Sequence, residues 1–209
     1  MRFMVLATAG LLAGSTTGFV SAQTVVDFES IAPGTAFGSS AGVAPGSSLF
    51  VENGVGVGID NFVRNNSNGT TSVLFGDVTI GGFADFSFPT TPATLSNVRL
   101  TFDLSDIAPV NQASFEYADF GGRENLVVNG NAFDFDDFLD APTSIDGVSI
   151  TVSGTSDAGT VELSGPIASL AIGGQELGID NITFIPEPSA LGLLLTGLGL
   201  TIRRRRAAS

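Results

Sequence analysis

Asn97-Val98-Arg99-Leu100-Thr101-Phe102-Asp103-Leu104 alternates apolar and polar side chains without a break. Successive side chains of an extended backbone point to opposite faces, so Val98, Leu100, Phe102 and Leu104 fall on one side and Arg99, Thr101 and Asp103 on the other. That is a strand with one face in a core. The same period of two recurs in short β-branched or aromatic runs, set apart by Gly, Asn, Asp, Pro and Ser. These runs cover residues 24–28, 55–63, 72–75, 78–80, 83–88, 97–104, 113–118, 124–128, 148–152, 160–163, 167–172 and 177–184. No stretch of the body carries apolar residues at helical spacing over three turns, and each glycine inside a helix would cost roughly 1 kcal/mol. The expectation is an all-β domain of two antiparallel sheets packed as a sandwich. One long loop, residues 30–48, is rich in Gly, Ala, Pro and Ser and is expected to cross one end of the sandwich or cover an edge.

Composition then removes whole classes of chemistry. The 209 residues include no histidine, cysteine, lysine or tryptophan. There is therefore no zinc site of the usual kind, no Cys or Ser-His nucleophile, no disulfide, no Schiff base and no phosphate-loop lysine. Between Gln23 and Ile185 only Arg64, Arg99 and Arg123 stand against twenty acids, a net charge of −17. Such a field repels nucleic acid and attracts cations. Phenylalanine, at 17, outnumbers tyrosine, at one, so the large aromatics read as core fillers. A carbohydrate platform, which usually needs Trp or Tyr, has only Tyr117.

Candidate oxygen ligands lie near the two ends of the β pattern. Asp27 and Glu29 belong to the first strand, and Asp180 with Asn181 to the last. If those strands pair, Asp27, Glu29 and Asp180 converge on one edge as a structural calcium site, since calcium takes six to eight oxygen ligands. Otherwise they are solvated rim residues, with Asn181 at a bulge. The run Phe133-Asp134-Phe135-Asp136-Asp137-Phe138-Leu139-Asp140 lacks the glycine and terminal glutamate of an EF-hand loop and reads as an acidic face over buried phenylalanines. Gly54, Gly56 and Gly58 alternate with Val55, Val57 and Ile59 and have no helix after them, so they read as a strand, not a nucleotide loop. Gly121-Gly122-Arg123-Glu124-Asn125 and Gly173-Gly174-Gln175-Glu176 read as hairpin turns whose glycines take positive φ, with Arg123 and Glu124 as turn decoration.

The two termini carry processing signals. Arg2, the apolar run from Phe3 to Ala13 and the small residues Val20-Ser21-Ala22 form the three regions of a secretory signal, with cleavage expected between Ala22 and Gln23. At the other end, Pro186-Glu187-Pro188 is followed by an apolar stretch, Ser189 to Ile202, and then by Arg203-Arg204-Arg205-Arg206. Prolines stop the last strand, the apolar segment can enter a bilayer, and the arginines hold the tail on the cytoplasmic side. Fourteen residues span about 21 Å as a helix against a hydrocarbon core of about 30 Å, a difference that arginine snorkelling and bilayer thinning reduce.

This triplet, hydrophobic segment and arginine cluster closely resemble the PEP-CTERM sorting signal of Gram-negative bacteria. The resemblance covers about the last 24 residues. It implies that Pro186, Glu187 and Pro188 are read by an exosortase, that residues 189–202 form a transient inner-membrane helix, and that Arg203, Arg204, Arg205 and Arg206 retain it. It implies three segments: a signal peptide over 1–22, helical before removal by signal peptidase, a jelly-roll-like sandwich over 23–185, and the sorting signal over 186–209. Proteins of this kind reside in the envelope or the extracellular polymer matrix. The resulting expectation is a non-catalytic structural or binding domain without cofactor apart from the calcium, with polysaccharide as a partner and no nucleic acid. Two alternatives are a carbohydrate-binding module, which needs an exposed cleft with Tyr117 or surface phenylalanines, and a glycoside hydrolase, which needs two carboxylates about 5–5.5 Å or 6.5–9.5 Å apart in such a cleft.

Overall fold

The computed structural model describes residues 23–83, 87–107 and 109–187. The expected signal helix, Ala22, Pro188, the hydrophobic segment and Arg203 to Arg206 lie outside them. Sixteen strands are described: β1 (Thr24–Val26), β2 (Ala36–Gly38), β3 (Ser47–Glu52), β4 (Val55–Asn65), β5 (Thr71–Leu74), β6 (Asp77–Ile80), β7 (Ala93–Ser96), β8 (Val98–Asp103), β9 (Val110–Asp119), β10 (Glu124–Val128), β11 (Asn131–Phe135), β12 (Ser144–Ile145), β13 (Val148–Gly154), β14 (Ala158–Ile167), β15 (Ser169–Gly174) and β16 (Leu177–Pro186). A 3₁₀ turn, Phe138–Asp140, follows β11, with Asp137 as its N-cap. Among the described residues no helix is long and apolar enough to cross a membrane.

Two antiparallel sheets result, as the alternation predicts. One runs β12-β13-β14-β9-β16-β7-β6-β2, with β1 also paired to β16; the other runs β11-β10-β15-β8-β4-β3, with β5 paired to β4. Their inner faces share one apolar core. In β8 the buried residues are Val98, Leu100 and Phe102, the set that the opening octapeptide assigns to one face. Phe102 meets Phe184 of the opposite sheet with ring centroids 5.9 Å apart. β4 confirms the glycine-rich strand reading, with Val55, Val57 and Ile59 fully buried and the glycines between them. The loop over residues 30–48 does cover an edge: β2 lies inside it and pairs with β6 at the end of the larger sheet.

Three local expectations are corrected. Phe83, Ser87 and Phe88 are not in a strand, since Gly81 and Gly82 take positive φ and prolines follow at 89 and 92. Neither glycine-rich turn is a hairpin. β9 and β15 each connect to a strand of the other sheet, so both turns carry the chain across the sandwich. Gly121 and Gly122 do take positive φ, 117° and 104°. Gly173 and Gly174 instead lie within β15, where a side chain has no room: a Cβ on Gly174 would fall 2.3 Å from that of Leu177.

Because Phe184 is fully buried against Phe102, Phe184→Ala is expected to cost about 3–5 kcal/mol. Phe133, 43% exposed, should cost less than about 0.5 kcal/mol on the same change. Urea denaturation of both variants checks this; equal losses would contradict the burial pattern.

Candidate functional site

The strand pairing that the calcium expectation requires is present. β1 lies antiparallel to β16, with Thr24 opposite Phe184 and Val26 opposite Ile182. Along that edge β16 changes partner, since Leu177 to Ile179 pair with β7. Asp180 and Asn181 sit at the change. The register with β9 shifts between Asp180 and Thr183, and Asn181 has a φ of 51°, so the bulge of the solvated-rim alternative is present although Asp180 is not solvated.

Asp180 is fully buried in the break. Its carboxylate accepts from the Thr90 hydroxyl and, at 2.7 Å, from the Asn181 N–H. Burial pushes its pKa up to about 6; the two hydrogen bonds oppose the rise, and Glu116 and Asp27 add to it. Glu116 also accepts from Asn181 Nδ2 at 3.1 Å. Glu29 is engaged elsewhere, taking the Thr91 N–H at 2.7 Å, and Asp27 accepts from Glu29 N at 3.2 Å. Asp27 thus adds to the charge that acts on Asp180, while Glu29 serves a separate contact. Among the described residues no three acidic side chains form a group able to hold a metal ion.

A second acidic centre stands where β9 passes over to β10. Glu124 shares its inward-facing row with Leu126 and Val128, and all three are fully buried. It is not turn decoration, and the alternation Glu124, Leu126, Val128 was the signal for its position. Neither carboxyl oxygen has a hydrogen-bond partner. Burial first, and then the nearby charge of Asp119 with those of Asp137 and Asp136, pushes its pKa up to about 9. The Asp119 carboxyl lies close enough to act on Glu124, and when both are ionised neither can donate to the other. Asp119 is itself raised, chiefly by burial, although Gly121 N donates to it at 2.7 Å.

The acidic run after β10 divides. Phe135 and Phe138 are buried, as expected, but Phe133 is exposed. The Asp134 side chain is only 4% exposed. It accepts from Asn65 N at 2.7 Å and from Arg123 Nε at 3.1 Å. Arg123 also pairs with Asp136. This ties β10 and β11 to the end of β4 and makes Arg123 a structural clamp.

Tyr117 is 1% exposed; its ring packs on Phe138 at 4.6 Å and its hydroxyl donates to Thr155 O at 2.6 Å. An exposed sugar platform built on Tyr117 is therefore ruled out by its burial. A groove of about 640 Å³ lies by Leu104, Ile107, Pro109 and Ile167, with Asp103, Asp146 and Glu187 among its polar lining. Hydrogen bonds from Ser105 hold the Asp103 carboxyl below the usual range, the wrong direction for a general acid. Of the residues expected to be processed, Gln23 donates to Thr183 Oγ1 at 3.3 Å. Pro186 ends β16, and the exposed Glu187 donates its N–H to Pro109 O at 2.6 Å.

A carboxyl whose folded pKa exceeds its unfolded value binds more protons when folded, so stability falls as pH rises between the two. For Asp180 that window runs from the ordinary 3.8 to about 6. In EDTA-containing buffer the urea midpoint of the wild type should therefore fall between about pH 4 and pH 6, and Asp180→Asn should flatten this part of the profile. A midpoint that rises over the same window would contradict the burial of an undercompensated carboxyl.

No protein-family model, curated protein or solved structure matches this chain.

Proposed function

We propose that this chain is an exported bacterial protein of the envelope or extracellular matrix, sorted through a C-terminal PEP-CTERM-type signal, whose jelly-roll-like β-sandwich acts as a structural or binding module and not as an enzyme. The observation that carries the reading is the order Pro186-Glu187-Pro188, apolar Ser189 to Ile202, and Arg203 to Arg206 at one end, with a tripartite leader at the other. A leader that opens export and a short apolar peg closed by four guanidinium groups set the body outside and the tail inside. Two features of the domain support the reading. The triplet starts at the last residue of β16, a strand paired on both edges, so a pull on the tail is borne by the middle of a sheet. The body's twenty acids against three arginines keep copies apart in solution and draw cations, which suits a component of a hydrated polymer matrix.

The hydrolase alternative gains little from the groove beside Asp103, and the carbohydrate-module alternative loses its tyrosine. In this reading signal peptidase acts between Ala22 and Gln23 and an exosortase acts near Pro186, Glu187 and Pro188. Replacing that triplet with three alanines should leave the protein in the membrane fraction, while the wild type reaches the surface or matrix. Cell fractionation with an internal epitope reads the difference. Wild-type protein found in the cytosol with its leader attached would overturn the proposal.

A further inference from the structure

We propose that the carboxylates of Glu124 and Asp119 form a divalent-cation site, of calcium type, at the end of the sandwich where β9 crosses to β10. The inference rests on how differently the buried acids are served. Glu52, 7% exposed, accepts from Phe28 N at 3.3 Å and from Ser30 Oγ at 3.1 Å. Asp180 has the Thr90 hydroxyl and the Asn181 N–H. Glu124 is fully buried and has no donor on either oxygen. The groups that act on it are Asp119, Asp137 and Asp136, which are acceptors when ionised. The nearest guanidinium in sequence, that of Arg123, is committed to Asp134 and Asp136.

A buried acceptor without a donor is one of the costlier arrangements a fold can hold. Here it is placed among other acceptors, so the missing partner is a positive charge. Asp119 and Asp137 are each fixed through Oδ1, to Gly121 N and Leu139 N, both at 2.7 Å. Both of these carboxylates act electrostatically on Glu124. Two carboxylates suffice as the charged ligands, because calcium fills its six to eight positions with backbone carbonyls and water as well. This agrees with the absence of any three-acid group among the described residues. An all-oxygen set selects a hard cation over zinc or copper. The inference is independent of the sorting proposal and concerns different residues from Asp27, Glu29 and Asp180.

Tyr117 supplies a local reporter. It is the only tyrosine of a chain without tryptophan, and it feels the charges of Asp137 and Asp119. Terbium(III) occupies calcium sites and emits when a neighbouring tyrosine is excited. The full chain, purified in detergent, is titrated with terbium and then with calcium, alongside Glu124→Gln, Asp119→Asn and Asp180→Asn. Expected are sensitised emission that calcium displaces, terbium affinity about tenfold weaker or more in Glu124→Gln and Asp119→Asn, and little change in Asp180→Asn. Calcium should also raise the melting temperature of the wild type and of Asp180→Asn but not of Glu124→Gln. Should Glu124→Gln not fold, Asp119→Asn and the wild-type melts with calcium or EDTA decide. Absence of both sensitised emission and a calcium-dependent melting shift in the wild type overturns the site. So does emission that Glu124→Gln and Asp119→Asn leave intact, or that Asp180→Asn alone removes.

Discussion

Backbone pairing along both edges of β16 is the constraint around which the larger sheet is arranged. On one edge it binds β9 through most of its length; on the other it must satisfy two short partners, β7 and then β1. Buried backbone groups need partners, so the place where one partner ends and the next begins needs a local solution. The chain supplies it with a bulge at Asn181 and a carboxylate, Asp180, that takes a backbone N–H and the Thr90 hydroxyl. An acid in the centre of a sheet is thereby accounted for by backbone pairing, without appeal to a ligand.

The same reasoning separates the acids of this very acidic chain into kinds. Most sit on the surface, where water carries the cost of their charge. Glu52, Asp134 and Asp180 are buried or nearly so, each supplied with backbone, hydroxyl or guanidinium donors. Glu124 has the same burial and no donor. With no lysine or histidine in the chain, and with Arg123 already paired to Asp134 and Asp136, a proton or a bound cation is what remains to balance it.

Much of the fold was legible along the chain because period two survives wherever a strand is long enough to bury one face. β8 and β10 are read directly, and β4, β9, β13 and β16 within a few residues at their ends. The strands that were missed are β2, β3, β7, β11 and β12, most of them short pieces at or near sheet edges, where few positions alternate and polar residues are tolerated. Glycine pairs marked turns correctly at Gly121 and Gly122, but at Gly173 and Gly174 they mark close packing. Sequence alone cannot separate a glycine chosen for its φ from one chosen for lack of a side chain.

By itself the sequence determined the class of fold, the face each long strand turns inward, the acidic field and the chemistries excluded by missing residue types. These follow from local alternation and from simple counts. Tertiary structure alone decided that β9–β10 and β15–β16 cross between sheets, that Tyr117 is buried, and that Glu124 is buried without a donor in the field of Asp119. Those outcomes depend on which strands pair over long separations, a property of the whole chain that no window of a few residues contains.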